Sequence, residues 1–171
     1  MLIMEKTVYS DKYVVVKQLS RKNKPPYTIV KFRPSFVVVA VTRNGKIILV
    51  KKYREPLGRE ILELPAGLKE NGGKRPTELA RHSLLEKTGY SAKTWVSLGQ
   101  FSMEPSIVAT KPFIFLALDA SKKPQLHLAT GNGINYGEYS WKEIEELIRK
   151  KQLTDSFSIA AIYAAKSYLK L

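Results

Sequence analysis

The sequence predicts an α+β sandwich on a mixed, mostly antiparallel sheet, with a small β-rich element at its N-terminus. Three observations lead there. Runs of β-branched residues of strand length fill the first third of the chain, a helical segment follows a Gly/Pro-rich stretch, and two more helical segments close the sequence. With 171 residues and 44% apolar content, the chain can bury one good core and is too short to suggest two.

Taken in order, Tyr13–Leu19 and Tyr27–Phe32 are β-rich runs separated by the polar, proline-containing 20–26, which reads as a hairpin-like pair. Residues 1–34 are therefore expected to form an N-terminal β element that could dimerise, and residues 35–171 the main domain. Two strands flank Asn44-Gly45 within Pro34–Arg54, a dipeptide suited to a tight turn with positive φ at both central residues. The Gly/Pro-rich 63–76 leads into a helix that Pro76 begins and Gly89 stops, with Leu79, Leu84 and Leu85 along one side. Trp95–Phe101, Lys111–Asp119 and the polar Gln125–Trp141 read as strands, the last with a glycine-rich connection around Gly131 to Gly133. Trp141–Leu169 gives two helices divided near Leu153 to Ser156, the second offering Ile159, Ile162, Tyr163 and Leu169 for packing. No internal repeat or low-complexity tract is visible.

Composition restricts the chemistry. The chain has no cysteine, which excludes disulfides, thiolate metal sites and cysteine nucleophiles, so any metal needs oxygen ligands or one of the two histidines. No apolar run is long enough to span a bilayer, and the N-terminal residues lack the pattern of a secretory signal, so a cytoplasmic protein is expected. A net charge of +14 attracts polyanions and makes nucleotides or RNA candidate partners, although scattered lysines equally describe a solubility surface.

Tyr53–Tyr90 reads YREPLGREILELPAGLKENGGKRPTELARHSLLEKTGY. This segment resembles the ADP-ribose pyrophosphatase branch of the Nudix family, whose box G-x5-E-x7-R-E-U-x-E-E-x-G-U, with U apolar, is a loop, helix and loop that binds divalent cations against a diphosphate. Anchored on Thr88-Gly89-Tyr90, the alignment needs no gap. Glu63 to Gly67 match the strand end and turn, Gly73 the usual loop glycine, Pro76-Thr77-Glu78 the helix start and Leu84 the apolar position. The resemblance implies a Nudix-type α/β/α sandwich, a homodimer, and magnesium as cofactor if the protein is active.

The chemical positions of the box depart from this pattern. Leu68 replaces the first glycine, Lys74 the loop glutamate, His82 the arginine, Ser83 the next glutamate and Lys87 the last one, leaving Glu86 alone of the carboxylate cluster. A frame shifted by one keeps Arg81 and Glu86 in register but still supplies no paired glutamate. Magnesium wants six oxygens and is held by carboxylates together with phosphate. An ammonium nearby opposes it by roughly 4 kcal/mol at about 4 Å per unit of ionic charge in a surface-like dielectric.

The candidates that follow are Glu86, Glu138 and Glu104 for catalysis, with Glu86 and the Ala66 carbonyl for a metal. Glu104 precedes the position near Ala109 and Thr110 where the resembled enzymes commonly carry a glutamate, and Glu138 has the alternative of being an exposed carboxylate. Arg54, Glu60, Lys74 and Lys87 are the substrate-binding candidates. Arg54 suits a bidentate grip on phosphate or a surface ion pair with Glu55 or Glu60. His82 and His127 have no evident carboxylate partner, and His82 reads as a helix-surface or packed residue.

Three functions are expected to compete. One is a protein that binds a nucleoside diphosphate derivative, such as a nucleoside diphosphate sugar, with hydrolysis lost or impaired, its lysines standing in for the ion's charge. The second is a divergent magnesium-dependent pyrophosphohydrolase. The third is an RNA-binding or ribonucleoprotein-associated protein, for which Tyr53, Trp95, Tyr136 and Trp141 are stacking candidates unless they are core.

Overall fold

The computed structural model describes residues 4–68, 75–123 and 135–171. Three antiparallel strands come first: β1 (Glu5–Ser10), β2 (Val14–Arg21) and β3 (Lys24–Phe32), in that spatial order. The β2 and β3 hairpin matches the two β-rich runs, but its turn is only Lys22-Asn23, with Asn23 at φ 58°, and Pro25 and Pro26 fall inside β3. That placement is permitted because β3 is an edge strand, where no ladder partner needs the missing N–H. β1 was not expected from sequence, since all of its residues are exposed and carry no hydrophobic period.

The remaining strands are β4 (Ser35–Thr42), β5 (Ile47–Arg54), β6 (Arg59–Glu63), β7 (Ala66–Leu68), β8 (Tyr90–Ser91), β9 (Thr94–Gln100), β10 (Phe113–Lys122) and β11 (Asn135–Tyr139). They form one sheet with the path β11-β5-β4-β10-β8, to which β6 adds on β5, β7 on β4 and β9 on β10. Only the β4 and β10 pairing is parallel. The helices are α1 (Pro76–Thr88), α2 (Trp141–Arg149) and α3 (Ser156–Leu169).

Strand alternation sends each central strand into two cores. From β4, Val37, Val39 and Val41 join Ile144, Leu153, Ile162 and Ala165 under α2 and α3, while Phe36, Val38 and Ala40 join Ala80 and Leu84 under α1. The result is an α+β sandwich with α1 on one face and α2 with α3 on the other. Each large aliphatic side chain so buried contributes about 1.5–3 kcal/mol.

Local details correct several expectations. The turn after β4 has positive φ at Gly45 alone (74°), with the Gly45 N–H on the Thr42 carbonyl (2.9 Å) and the Thr42 N–H on the Lys46 carbonyl (2.8 Å). Three loop residues thus take a type I turn plus a left-handed glycine instead of a two-residue turn. On α1 the buried stripe is Ala80, Ser83, Leu84 and Thr88, with Leu79 and Leu85 only half-buried, as 100° per residue requires. The helix bounds are those expected: Pro76 opens α1 and Gly89, at φ 73°, closes it with its N–H on the Leu85 carbonyl (2.8 Å). In α3, Ala161, Ile162 and Ala165 are buried and Tyr163 is exposed.

The 101–112 connection is fastened to β3. Val30 donates to the Ile107 carbonyl (2.8 Å), Ala109 to the Val30 carbonyl (2.9 Å), and the Thr110 hydroxyl both accepts from the Phe32 N–H (2.7 Å) and donates to the Phe32 carbonyl (2.9 Å). The glycine-rich connection expected around Gly131 to Gly133, together with Gly73, Lys74 and His127, lies outside the described residues. Among the described residues no helix is long and apolar enough to cross a membrane.

Candidate functional site

A cleft of about 820 Å3 opens where the ends of β5, β6 and β7 meet the last turn of α1 and the start of α3. Among the described residues its cations are Arg33, Lys52, Arg54 and Lys87, and its acids are Glu63 and Asp155. Lys52 and Arg54 reach the same wall because they sit two apart on one strand, so their side chains share a face. The apolar side includes Leu57, Leu68, Met103 and Phe157.

Both acids are already engaged. Glu63, buried at 7% side-chain exposure, accepts two bonds from Arg54, from Nε at 2.8 Å and from a terminal nitrogen at 2.6 Å. Asp155 caps α3 by accepting from the Ser158 N–H (2.9 Å) and hydroxyl, and the Ser158 hydroxyl in turn accepts from the Leu64 N–H (2.8 Å), tying α3 to the end of β6. Among the described residues Arg33, Lys52 and Lys87 have no carboxylate within ion-pair distance. The cleft is therefore left with net positive charge.

Lys87 is the central element. Its ammonium donates to the Ala66 carbonyl, joining α1 to β7. Burial, and after it the like charge of Lys52, pushes the Lys87 ammonium below the usual lysine range, against the pull of Glu86 and Glu63. Ser83 lies one helical turn before Lys87 and so on the same face of α1; its hydroxyl is buried and has no hydrogen-bond partner among the described residues.

The carboxylates named from sequence are not gathered here. Glu86 is turned to solvent, its carboxylate 3.7 Å from His82 Nδ1, a pairing at i and i+4 that the sequence reading of His82 overlooked. Glu138 is half-buried on β11, where it accepts a hydrogen bond from the Tyr90 hydroxyl, so it is not the exposed carboxylate that the alternative reading allowed. Burial and then that bond push the Tyr90 phenol up. Glu104 is exposed and accepts from the Ser106 hydroxyl, on the connection fastened to β3. Glu60 pairs with Lys51 at 2.7 Å and is absent from the cleft wall, because its register opposite Tyr53 turns it the other way from Arg54 and Glu63.

These residues do not fit a magnesium ion. Among the described residues no group of three or more His, Asp and Glu side chains could hold a metal. The Ala66 carbonyl faces an ammonium and the Glu63 oxygens are taken by Arg54. The proposed stacking residues also divide: Trp95, Tyr136 and Trp141 pack against the cores, with Arg81 5.0 Å above the Trp95 ring, and only Tyr53 is exposed.

Sequence reasoning passed over Arg33, Lys52 and the role of Glu63. In sequence Glu63 shows only as a strand end. The alternation of Lys52 and Arg54 along β5 was the available signal for the cationic wall, whereas Arg33 and Asp155 come from distant parts of the chain.

Comparison with known proteins accords with this architecture. No family model matches the sequence. The chain is 32% identical over 162 residues to an ADP-ribose pyrophosphatase of Bacillus subtilis, covering 94% of this chain and 85% of that protein. It is 31% identical over 144 residues to a methanol dehydrogenase activator of Bacillus methanolicus, covering 84% and 75% respectively. Among solved structures, an ADP compounds hydrolase superposes with a TM-score of 0.75 at 19% identity, over 98% of this chain and 92% of the other.

Proposed function

This chain belongs to the Nudix family, in its ADP-ribose pyrophosphatase-like branch, and from that premise we propose that its cleft binds a nucleoside diphosphate derivative while hydrolysis is lost or impaired. The observation that supports this reading is the Lys87 ammonium seated on the Ala66 carbonyl, in a cleft where both acids among the described residues are committed to other partners. An anionic phosphate finds Lys52 and Lys87 ready to receive it, and an apolar wall of Leu57, Met103 and Phe157 suits the uncharged end of a nucleotide. Among the described residues no carboxylate stands free in the cleft to take a proton from an attacking water.

ADP-ribose is the first ligand to test, since relatives carry that substrate in their names. The purified protein should be stabilised against heat by ADP-ribose in a saturable way. Its turnover should lie at least about a thousandfold below that of an active ADP-ribose pyrophosphatase assayed beside it, the scale of losing a main electrostatic element of a catalytic site. Comparable turnover, abolished by Glu86→Gln, would establish the divergent magnesium-dependent enzyme instead.

The same reading includes a homodimer. In a single chain both faces of the N-terminal sheet stay partly exposed, with Tyr9 at 54% and Phe32 at 44% on one side. A second copy could cover such a surface.

A further inference from the structure

The cleft sets a fixed ammonium where the family's chemistry calls for a metal. Lys87 Nζ is bonded to the Ala66 carbonyl, and Ser83, one turn back on the same helix, is a buried neutral hydroxyl that does not line the cleft. Glu86, the remaining box carboxylate, lies on the solvent side with His82. Lys52 completes a second positive point on the facing strand, and Arg54 with Glu63 closes the wall as a neutral pair.

Among the described residues, a divalent cation entering this space would meet two ammonium groups and no carboxylate that is not already paired or capping. A phosphate would meet the same two ammonium groups as direct ion-pair partners. Magnesium bound to a diphosphate in solution also cancels part of the charge that the two lysines would otherwise read.

Resting on the binding function proposed above, we infer that the cleft takes the phosphates of its ligand without any divalent cation, Lys87 and Lys52 supplying the positive charge, so that magnesium competes with binding instead of promoting it. The expected behaviour is opposite in sign to that of a metal-dependent hydrolase.

Isothermal titration at constant ionic strength tests this with two probes, ADP-ribose and inorganic pyrophosphate, each in EDTA and in excess magnesium. Both probes are expected to bind in EDTA, with Kd raised several-fold by magnesium. Lys87→Met should raise the Kd for both probes in EDTA by about tenfold or more, the scale of one charged hydrogen bond. Lys52→Met, which removes a cation without touching the bond between α1 and β7, should also raise it and serves if the Lys87 variant does not fold. Lys87→Arg should retain binding.

Binding that is as tight or tighter in magnesium overturns the inference, and so does unchanged affinity in folded Lys87→Met and Lys52→Met proteins. Binding seen only with magnesium would overturn the inference while leaving nucleotide binding intact. Absence of binding under both conditions would overturn it together with the function on which it rests.

Discussion

At the level of single residues, Lys87 links burial to ligand charge. Its ammonium is depressed in the folded protein, so between that depressed value and the unfolded value of about 10.4 the unfolded chain binds more protons. Its own contribution to stability therefore rises with pH across that window. Anion affinity has the opposite trend, falling as pH rises through the depressed value, because the receptor loses its charge. Titrations with ADP-ribose carried up in pH toward the ordinary lysine value should show this fall, and Lys87→Arg should move it to higher pH. Arg54 makes a different prediction. Removing it as Arg54→Met strands the buried Glu63 carboxylate, at a cost of about 2–3 kcal/mol in denaturant unfolding. Adding Glu63→Gln to that variant should restore part of the loss, a coupling that a loose surface pair would not show.

Among the elements, β7 is the hinge between fold and cleft. A Cβ built on Gly67 would lie 2.6 Å from Cζ of Phe36, which is itself buried against α1. Gly67→Ala should therefore force β7 away from β4, costing about 1–3 kcal/mol, and Phe36→Leu in the same chain should recover part of it. Thermal melts of the two variants check this. The elements readable from sequence were those with a clear local cause: the β-branched and aromatic runs of β2, β3, β9 and β10, the two strands around Gly45, α1 between Pro76 and Gly89, and the pair of C-terminal helices. β1 escaped notice because its residues are polar and held by cross-strand partners such as Lys17 to Glu5 at 2.6 Å, which no local period announces. The cleft was legible only where it ran along one segment. Lys87 and Ala66 were named, but the fork from Arg54 to Glu63 and the capping role of Asp155 depend on side chains brought together by register and by packing of α3 on β6.

For the whole molecule, charge and exposed surface make separate predictions. A net charge of +14 draws any polyanion at long range, so ligand affinity should weaken as salt rises. If Lys52 and Lys87 carry the specific part, their methionine variants should flatten that salt dependence, whereas removing a distant lysine should not. The N-terminal sheet, partly exposed on both faces, predicts that light scattering after gel filtration gives about twice the 19.4 kDa chain mass. A monomer at micromolar concentration would show that the sheet stays uncovered.

Phosphorus NMR of ADP-ribose mixed with the protein, with magnesium added last, separates metal-free phosphate binding from metal-dependent hydrolysis. Both diphosphate resonances should shift or broaden before magnesium is present, relax toward the positions of the ligand without protein as it is added, and persist for hours without phosphate monoester signals. Rapid replacement of the diphosphate pair by monoester resonances once magnesium arrives would contradict the proposed loss of hydrolysis.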